Sequence, residues 1–303
     1  MNLLIVGTVA YDSVRTPFGA RERILGGSAA YCATAASYFT DAGILAVVGE
    51  DFEASDRRLL QERGVDLEGL TTLPGQKCFH WKGEYGFDLN EARTLRTDLN
   101  VLTAFDPVVP ASWRRVPYVF LANMDPRAQA KVLDQVEAPR LVAADTMNYW
   151  IESAREDLLS LLPRVDILVI NEAESRQLSG EANLLKAARR ILAWGPKGLI
   201  VKRGEYGVLA VSAEALFAAP GFPLETVFDP TGAGDSFAGG FMGRLASGGS
   251  ADADAIRQAI VLGSVMASFN VEDFSMTRLA SLSWQEIAER YRAFRRLTRF
   301  EDL

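Results

Sequence analysis

The chain has 303 residues, 49% of them hydrophobic and 23% charged, with 32 basic and 39 acidic side chains and a net charge of −7. That is the balance of an ordinary globular protein long enough for one large α/β domain, and its acidic sum argues against non-specific nucleic-acid binding, which needs a basic footprint. One histidine, His80, and two distant cysteines, Cys32 and Cys78, exclude multi-histidine zinc sites, cysteine-rich metal sites and a disulfide framework.

The start, MNLLIVGTVAYD, has no basic stretch ahead of its apolar run, so no signal peptide is expected, and no stretch is long enough to span a bilayer. With two reduced cysteines this suits a cytoplasmic protein. Leu3–Gly7 reads as the first strand. Residues 13–25 carry Pro17 and Gly19 and have no helical period. A helix is expected at Ala29–Phe39, a strand at Ile44–Gly49 and a helix at Ser55–Arg63. Residues 76–87 place Phe79, Trp81, Tyr85 and Phe87 at odd positions and His80, Lys82 and Glu84 at even ones; period two means a strand with one aromatic face. Strands then follow at Tyr118–Ala122, Leu141–Ala144, Asp166–Ile170, Leu199–Lys202 and Gly207–Val211. Among and after them come helices at Arg127–Val136, Ile151–Leu161, Leu184–Trp194, Asp235–Ala246, Asp254–Phe269 and Trp284–Leu297. Most strands are continuous apolar runs, the mark of a parallel sheet covered on both faces. The rhythm predicts a single domain over 1–303, a three-layer α/β/α sandwich with a mostly parallel central sheet. The segments outside the rhythm, about 13–25 and 76–100, read as strands of a small lid, or as a surface hairpin packed on the core.

The densest chemistry lies in Asp229–Phe241, DPTGAGDSFAGGF. Gly232-Ala233-Gly234 leaves successive amides uncovered at a helix N-terminus, an anion site. Asp235 sets a carboxylate beside it. A carboxylate there repels phosphate, but it suits a base that takes the proton of a hydroxyl attacking that phosphate. The plainer reading of a lone GxG is a glycine turn with a first-turn acid; the length of this string favours the chemical one.

This string resembles the C-terminal signature of the ribokinase-like, or PfkB, carbohydrate kinases. Three more stretches, in the right order, carry the resemblance: Gly26-Gly27-Ser28-Ala29-Ala30 with Val48-Gly49-Glu50-Asp51, Asn171-Glu172-Ala173-Glu174, and Lys202-Arg203-Gly204-Glu205-Tyr206-Gly207. The resemblance implies the ribokinase-like fold and an ATP- and Mg²⁺-dependent kinase acting on a hydroxyl of a sugar, polyol or nucleoside. It makes Asp235 the base and the amides of Gly232, Ala233 and Gly234 the anion hole. It sets Asn171 and Glu174 at the Mg²⁺–phosphate assembly, Glu174 through water, and Lys202, Gly204 and Gly207 along ATP. Asp229 and Thr231 match positions that touch a monovalent cation such as K⁺ in some members. Asp12 matches the aspartate that grips sugar hydroxyls, with Gly26 and Gly27 letting the sugar approach the backbone. Asn171 and Glu174 also have the spacing of a helix capping box, and on spacing alone that is the stronger reading.

Two departures stand out. Lys202 replaces the family's more frequent Thr or Ser, which leaves its role open, and Tyr31 stands where many members have Asn. A Tyr31 ring covering one side of the bound molecule, with Trp81 or Phe79 reaching in from the lid, favours a nucleoside or a cyclic polyol over free ribose. The same aromatic stripe suits a homodimer through the lid. The expected partners are a small alcohol and ATP, with neither nucleic acid nor membrane. A non-catalytic sugar- or nucleoside-binding module of the same fold is the alternative. A nicotinamide-dependent oxidoreductase lacks its GxGxxG after the first strand, a Walker-type kinase lacks GxxxxGK[ST], and a Gly-Asp-Ser hydrolase lacks a histidine near Ser236.

Overall fold

The computed structural model describes residues 1–299. Thirteen strands form among them: β1 (Leu3–Val6), β2 (Ala10–Thr16), β3 (Gly19–Gly26), β4 (Ala42–Gly49), β5 (Leu70–Leu73), β6 (Phe79–Tyr85), β7 (Ala92–Asp98), β8 (Tyr118–Leu121), β9 (Leu141–Ala144), β10 (Ile167–Asn171), β11 (Gly198–Lys202), β12 (Val208–Ser212) and β13 (Leu216–Ala219). Nine build one sheet in the order β13-β12-β11-β10-β9-β8-β1-β4-β5. From β5 to β11 every pairing is parallel, and β12 and β13 close one edge antiparallel.

Every residue of β1, β4, β8 and β9 is buried, because helices cover both faces of the sheet. Alternate side chains divide between two apolar clusters. Leu3 and Ile5 join the one built with the helices Ser28–Ala36, Ala233–Gly248 and Ala253–Asn270; Leu4 and Val6 join the one built with Pro126–Leu133, Arg155–Leu161 and Leu184–Leu192. This is the three-layer α/β/α sandwich that the run-and-period pattern predicts.

All seven strands expected for the main sheet form, with ends moved by a residue or two. The expected helix Ile151–Leu161 divides into Asn148–Ser153 and Arg155–Leu161, since Ala154 leaves helical geometry at φ −138°, ψ 36°. The short strands β5 and β13 were not anticipated, because they carry exposed residues that break the apolar-run signal, whereas the helix Glu172–Ser179 starts where the Asn171–Glu174 spacing puts a capping box.

The remaining four strands form a second sheet, β3-β2-β6-β7, with β2 and β6 parallel and both outer pairs antiparallel. It draws on the segments outside the αβ rhythm. Its first strand begins at Ala10, so Asp12 sits on a strand. Register places Asp12 opposite Trp81 and Ala10 opposite Phe79, while Tyr11 opposes His80 on the other face. Asp12 therefore shares its face with the aromatic stripe of β6. Phe87 does not belong to that stripe: it lies beyond the end of β6 and is 93% exposed. Trp81 lies along the sheet over Gly83, and its Nε1 donates to Thr94 Oγ1 at 3.1 Å.

Candidate active site

In a parallel sheet, ligands gather at the carboxyl ends of the strands. Three polar residues stand at three neighbouring ends here. Asp145 follows β9, Asn171 ends β10, and Lys202 ends β11 directly opposite Asn171. The Lys202 Nζ lies 3.0 Å from Asp145 Oδ2, an ion pair whose side chains are only 17% and 5% exposed. Asp145 was not singled out from the sequence. Its one signal was its place, a lone carboxylate just past an apolar strand.

The helix Ala233–Gly248 begins above these strand ends. Its N-cap, Gly232, has φ 76°, and a methyl group built there would stand 2.5 Å from the Tyr31 ring. Only glycine meets both demands. Of the three amides assigned to the anion hole, the Ala233 N–H is turned away and donates to the Pro230 carbonyl at 3.1 Å. Among the described residues, the amides of Gly232, Gly234 and Asp235 make no hydrogen bond. Free amides still gather at this helix N-terminus, with Asp235 in place of Ala233. A methyl group on Gly234 would lie 2.9 Å from Lys202 Nζ, so the ammonium stands beside them.

The half-buried carboxyl of Asp235 is pushed up to about 7 by burial and by Asp145, against the pull of Lys202. Glu174 is also pushed up to about 7, by burial first and then by Asp145. Asn171 and Glu174 form the reciprocal capping box of the helix Glu172–Ser179: the Glu174 amide donates to Asn171 Oδ1 and the Asn171 amide to Glu174 Oε2, both at 2.8 Å. The capping arrangement uses one oxygen of Glu174 and leaves the other.

On the acceptor side, Asp12 is buried against Gly26 and its carboxyl is pushed up to about 8, by burial first and then by Asp229 and Asp235. Tyr31 departs from its expected role. It is 1% exposed and its ring packs beneath Gly232, so it presents no open face for stacking. Its hydroxyl has no hydrogen-bond partner among the described residues. Burial raises its pKa well above normal, and the nearby charges of Asp12 and Asp229 add to this. The second sheet supplies Tyr85 to this group: Thr231 Oγ1 donates to the Tyr85 hydroxyl at 3.3 Å. Asp229 is fully buried and accepts the Thr231 amide at 2.9 Å, so it shapes the turn into the helix. Gly204 and Gly207 form the turn between β11 and β12, both with positive φ. Asn90, on the β6–β7 loop, packs against Gly204. The second sheet thus touches both the Thr231 turn and the Gly204 turn.

A base near neutrality, free amides, a buried ammonium and a second buried carboxylate together can activate a hydroxyl and hold an anion beside it. Among the described residues no helix is long and apolar enough to cross a membrane. A family model, pfkB family carbohydrate kinase, matches residues 6–278. The cytidine kinase of Thermococcus kodakarensis is 30% identical over 253 residues, covering 82% of this chain and 90% of that protein. The nucleoside kinase of Methanocaldococcus jannaschii superposes with a TM-score of 0.78 at 22% identity, over 97% of this chain and 99% of that one. A ribokinase II of E. coli solved with ATP and Mg²⁺ gives the same TM-score at 20% identity, over 98% and 99%. The chain belongs to the PfkB family of carbohydrate kinases, sugar and nucleoside phosphotransferases with an alcohol acceptor.

Proposed function

We propose that this protein transfers the γ-phosphoryl group of ATP, with Mg²⁺, to a hydroxyl of a nucleoside. The observation that carries the transfer chemistry is the free amides of Gly232, Gly234 and Asp235 beside a carboxylate pushed up to about 7. Asp235 accepts the acceptor's hydroxyl proton as that oxygen bonds to the γ-phosphorus and the bond to the departing ADP oxygen breaks. The amides donate to the phosphoryl oxygens, where charge develops. Asp12 accepts from a pair of acceptor hydroxyls. The Gly204–Gly207 turn lies along ATP.

The donor set suits Mg²⁺, a hard cation that keeps several waters. Glu174 has one carboxylate oxygen not used by the capping box, and its raised pKa reflects a buried negative charge that a dication relieves. When bound, Mg²⁺ neutralises the β- and γ-phosphate oxygens. Asp229 and Thr231 remain the proposed K⁺ contacts, through groups the turn does not use.

The nucleoside reading is supported by the cytidine kinase relative and by the aromatic face that β6 presents beside Asp12. Stacking of a base on an aromatic side chain contributes roughly 1–3 kcal/mol. The test is ATP consumption with cytidine, other nucleosides, ribose, myo-inositol and sugar acids as acceptors. A nucleoside should give the highest kcat/KM, and Trp81→Ala should raise its KM more than that of ribose. A sugar acid or free ribose as best acceptor, or an indifferent Trp81→Ala, would overturn the nucleoside assignment.

A further inference from the structure

The buried Lys202–Asp145 pair is the strongest electrostatic feature of the site that this reaction scheme leaves without a part. It bridges two strands at their carboxyl ends, 57 residues apart in sequence. Asp145 is held in place from its own backbone: its Oδ1 accepts the Thr146 amide at 2.8 Å while Oδ2 takes the Lys202 ammonium. The ammonium has three N–H donors and Asp145 engages one of them. Nothing else among the described residues accepts from Nζ. The position of Nζ, 2.9 Å from where a Gly234 methyl would lie, puts its unused donors beside the free amide of Gly234. Burial works against the charge, but Asp145, Glu174 and Asp235 together outweigh it and hold the lysine above its ordinary pKa, so it remains an ammonium through neutral pH.

A pair of this kind is a poor device for stability alone. Two buried charges replaced together by neutral groups of similar size commonly cost little, whereas removing one of them strands the other. The geometry also differs from that of a lysine lying along the nucleotide: it points at the amide loop next to the base.

Resting on the kinase reading above, we propose that Lys202 is a catalytic residue whose ammonium, aimed by Asp145, completes the anion hole and bonds the phosphoryl group in transit. Asp145 is then a positioning residue. Lys202 keeps its proton throughout; it donates hydrogen bonds to a phosphoryl oxygen and offsets the charge that builds there, while Asp235 alone takes the acceptor proton. In this chain the lysine adds a charged donor to the neutral ones of Gly232, Gly234 and Asp235, since Ala233 is tied to Pro230.

The experiment compares wild type, Lys202→Met, Asp145→Asn and the double variant, all as the full chain. It reads kcat and KM with the best acceptor, and affinity for MgADP with acceptor in the presence and absence of aluminium fluoride, a mimic of the transferred group. It also reads the thermal midpoint. Lys202→Met should lose roughly 10²–10³ in kcat, the usual effect of deleting one such donor, with acceptor KM within a few-fold. It should bind MgADP like wild type and lose the aluminium fluoride complex by a similar factor. The double variant, with no stranded charge, should recover the thermal midpoint lost in Asp145→Asn but not the turnover. Recovery of both would make the pair purely structural and overturn the proposal, as would Lys202→Met with kcat within a few-fold of wild type. Should Lys202→Met fail to fold, the double variant decides by the same two readouts. Wild type that consumes no ATP with any acceptor fails the kinase reading itself, a result visible before any variant is made.

Discussion

Replacing Asp12 by Asn should stabilise the ligand-free protein at alkaline pH while weakening its grip on the acceptor. The carboxyl is buried and pushed from 3.8 to about 8, by burial first and then by Asp229 and Asp235, with only the Gly27 amide working the other way. The folded protein thus holds this proton to higher pH than the unfolded chain does. Stability from this group is greatest below about pH 4 and is lost as pH rises toward 8, the folded value. At ~1.4 kcal/mol per pKa unit, the full loss is on the order of 5 kcal/mol above that pH. Asn is neutral throughout and nearly the same shape, so it removes the loss without leaving a cavity. Thermal unfolding of both proteins from pH 4 to pH 9 is the assay. The midpoints should nearly coincide at the acid end, and the variant should lead by roughly 10 °C at the alkaline end, taking ~2–4 °C per kcal/mol. Saturating acceptor should narrow the gap, because hydroxyls donating to Asp12 stabilise its charged form. Parallel curves at all pH values would refute the idea that Asp12 carries a buried, unrelieved charge.

Asp235→Asn should lower kcat by ~10²–10⁴ and leave ATP affinity nearly intact; a variant within a few-fold of wild type would remove Asp235 from the base role. Because Asp235 must be ionised to accept a proton and is pushed up to about 7, wild-type kcat at saturating acceptor should rise with pH to a plateau just above neutrality. An acid limb near pH 4 instead would mean an unperturbed carboxylate. Glu174→Gln should raise the Mg²⁺ concentration needed for half-maximal rate, measured by metal titration at fixed ATP, and an unchanged requirement contradicts that assignment. Gly204→Ala strains a residue at φ 54° and pushes on Asn90; initial-rate kinetics should show a raised KM for ATP with acceptor KM little changed, and the reverse split would place this turn elsewhere.

Features that depend on neighbours in sequence were legible without the fold. Apolar runs and helical periods gave the αβ rhythm because backbone geometry alone fixes those repeats. The Asn171–Glu174 spacing forms a capping box, as a three-residue offset at a helix start allows. The glycines and acid of Asp229–Phe241 announced an amide-lined helix N-terminus for the same reason. What only the tertiary structure decided joins residues far apart in the chain. Lys202 meets Asp145, and Thr231 meets Tyr85 across 146 positions. Tyr31 lies on a helix whose first residues follow the GG pair, yet its ring is buried beneath Gly232, more than half the chain away. No local pattern could show that this ring would be a floor rather than a wall. That depends on how closely the helices Ser28–Ala36 and Ala233–Gly248 approach each other, and that distance is set by the packing of the whole layer against the sheet.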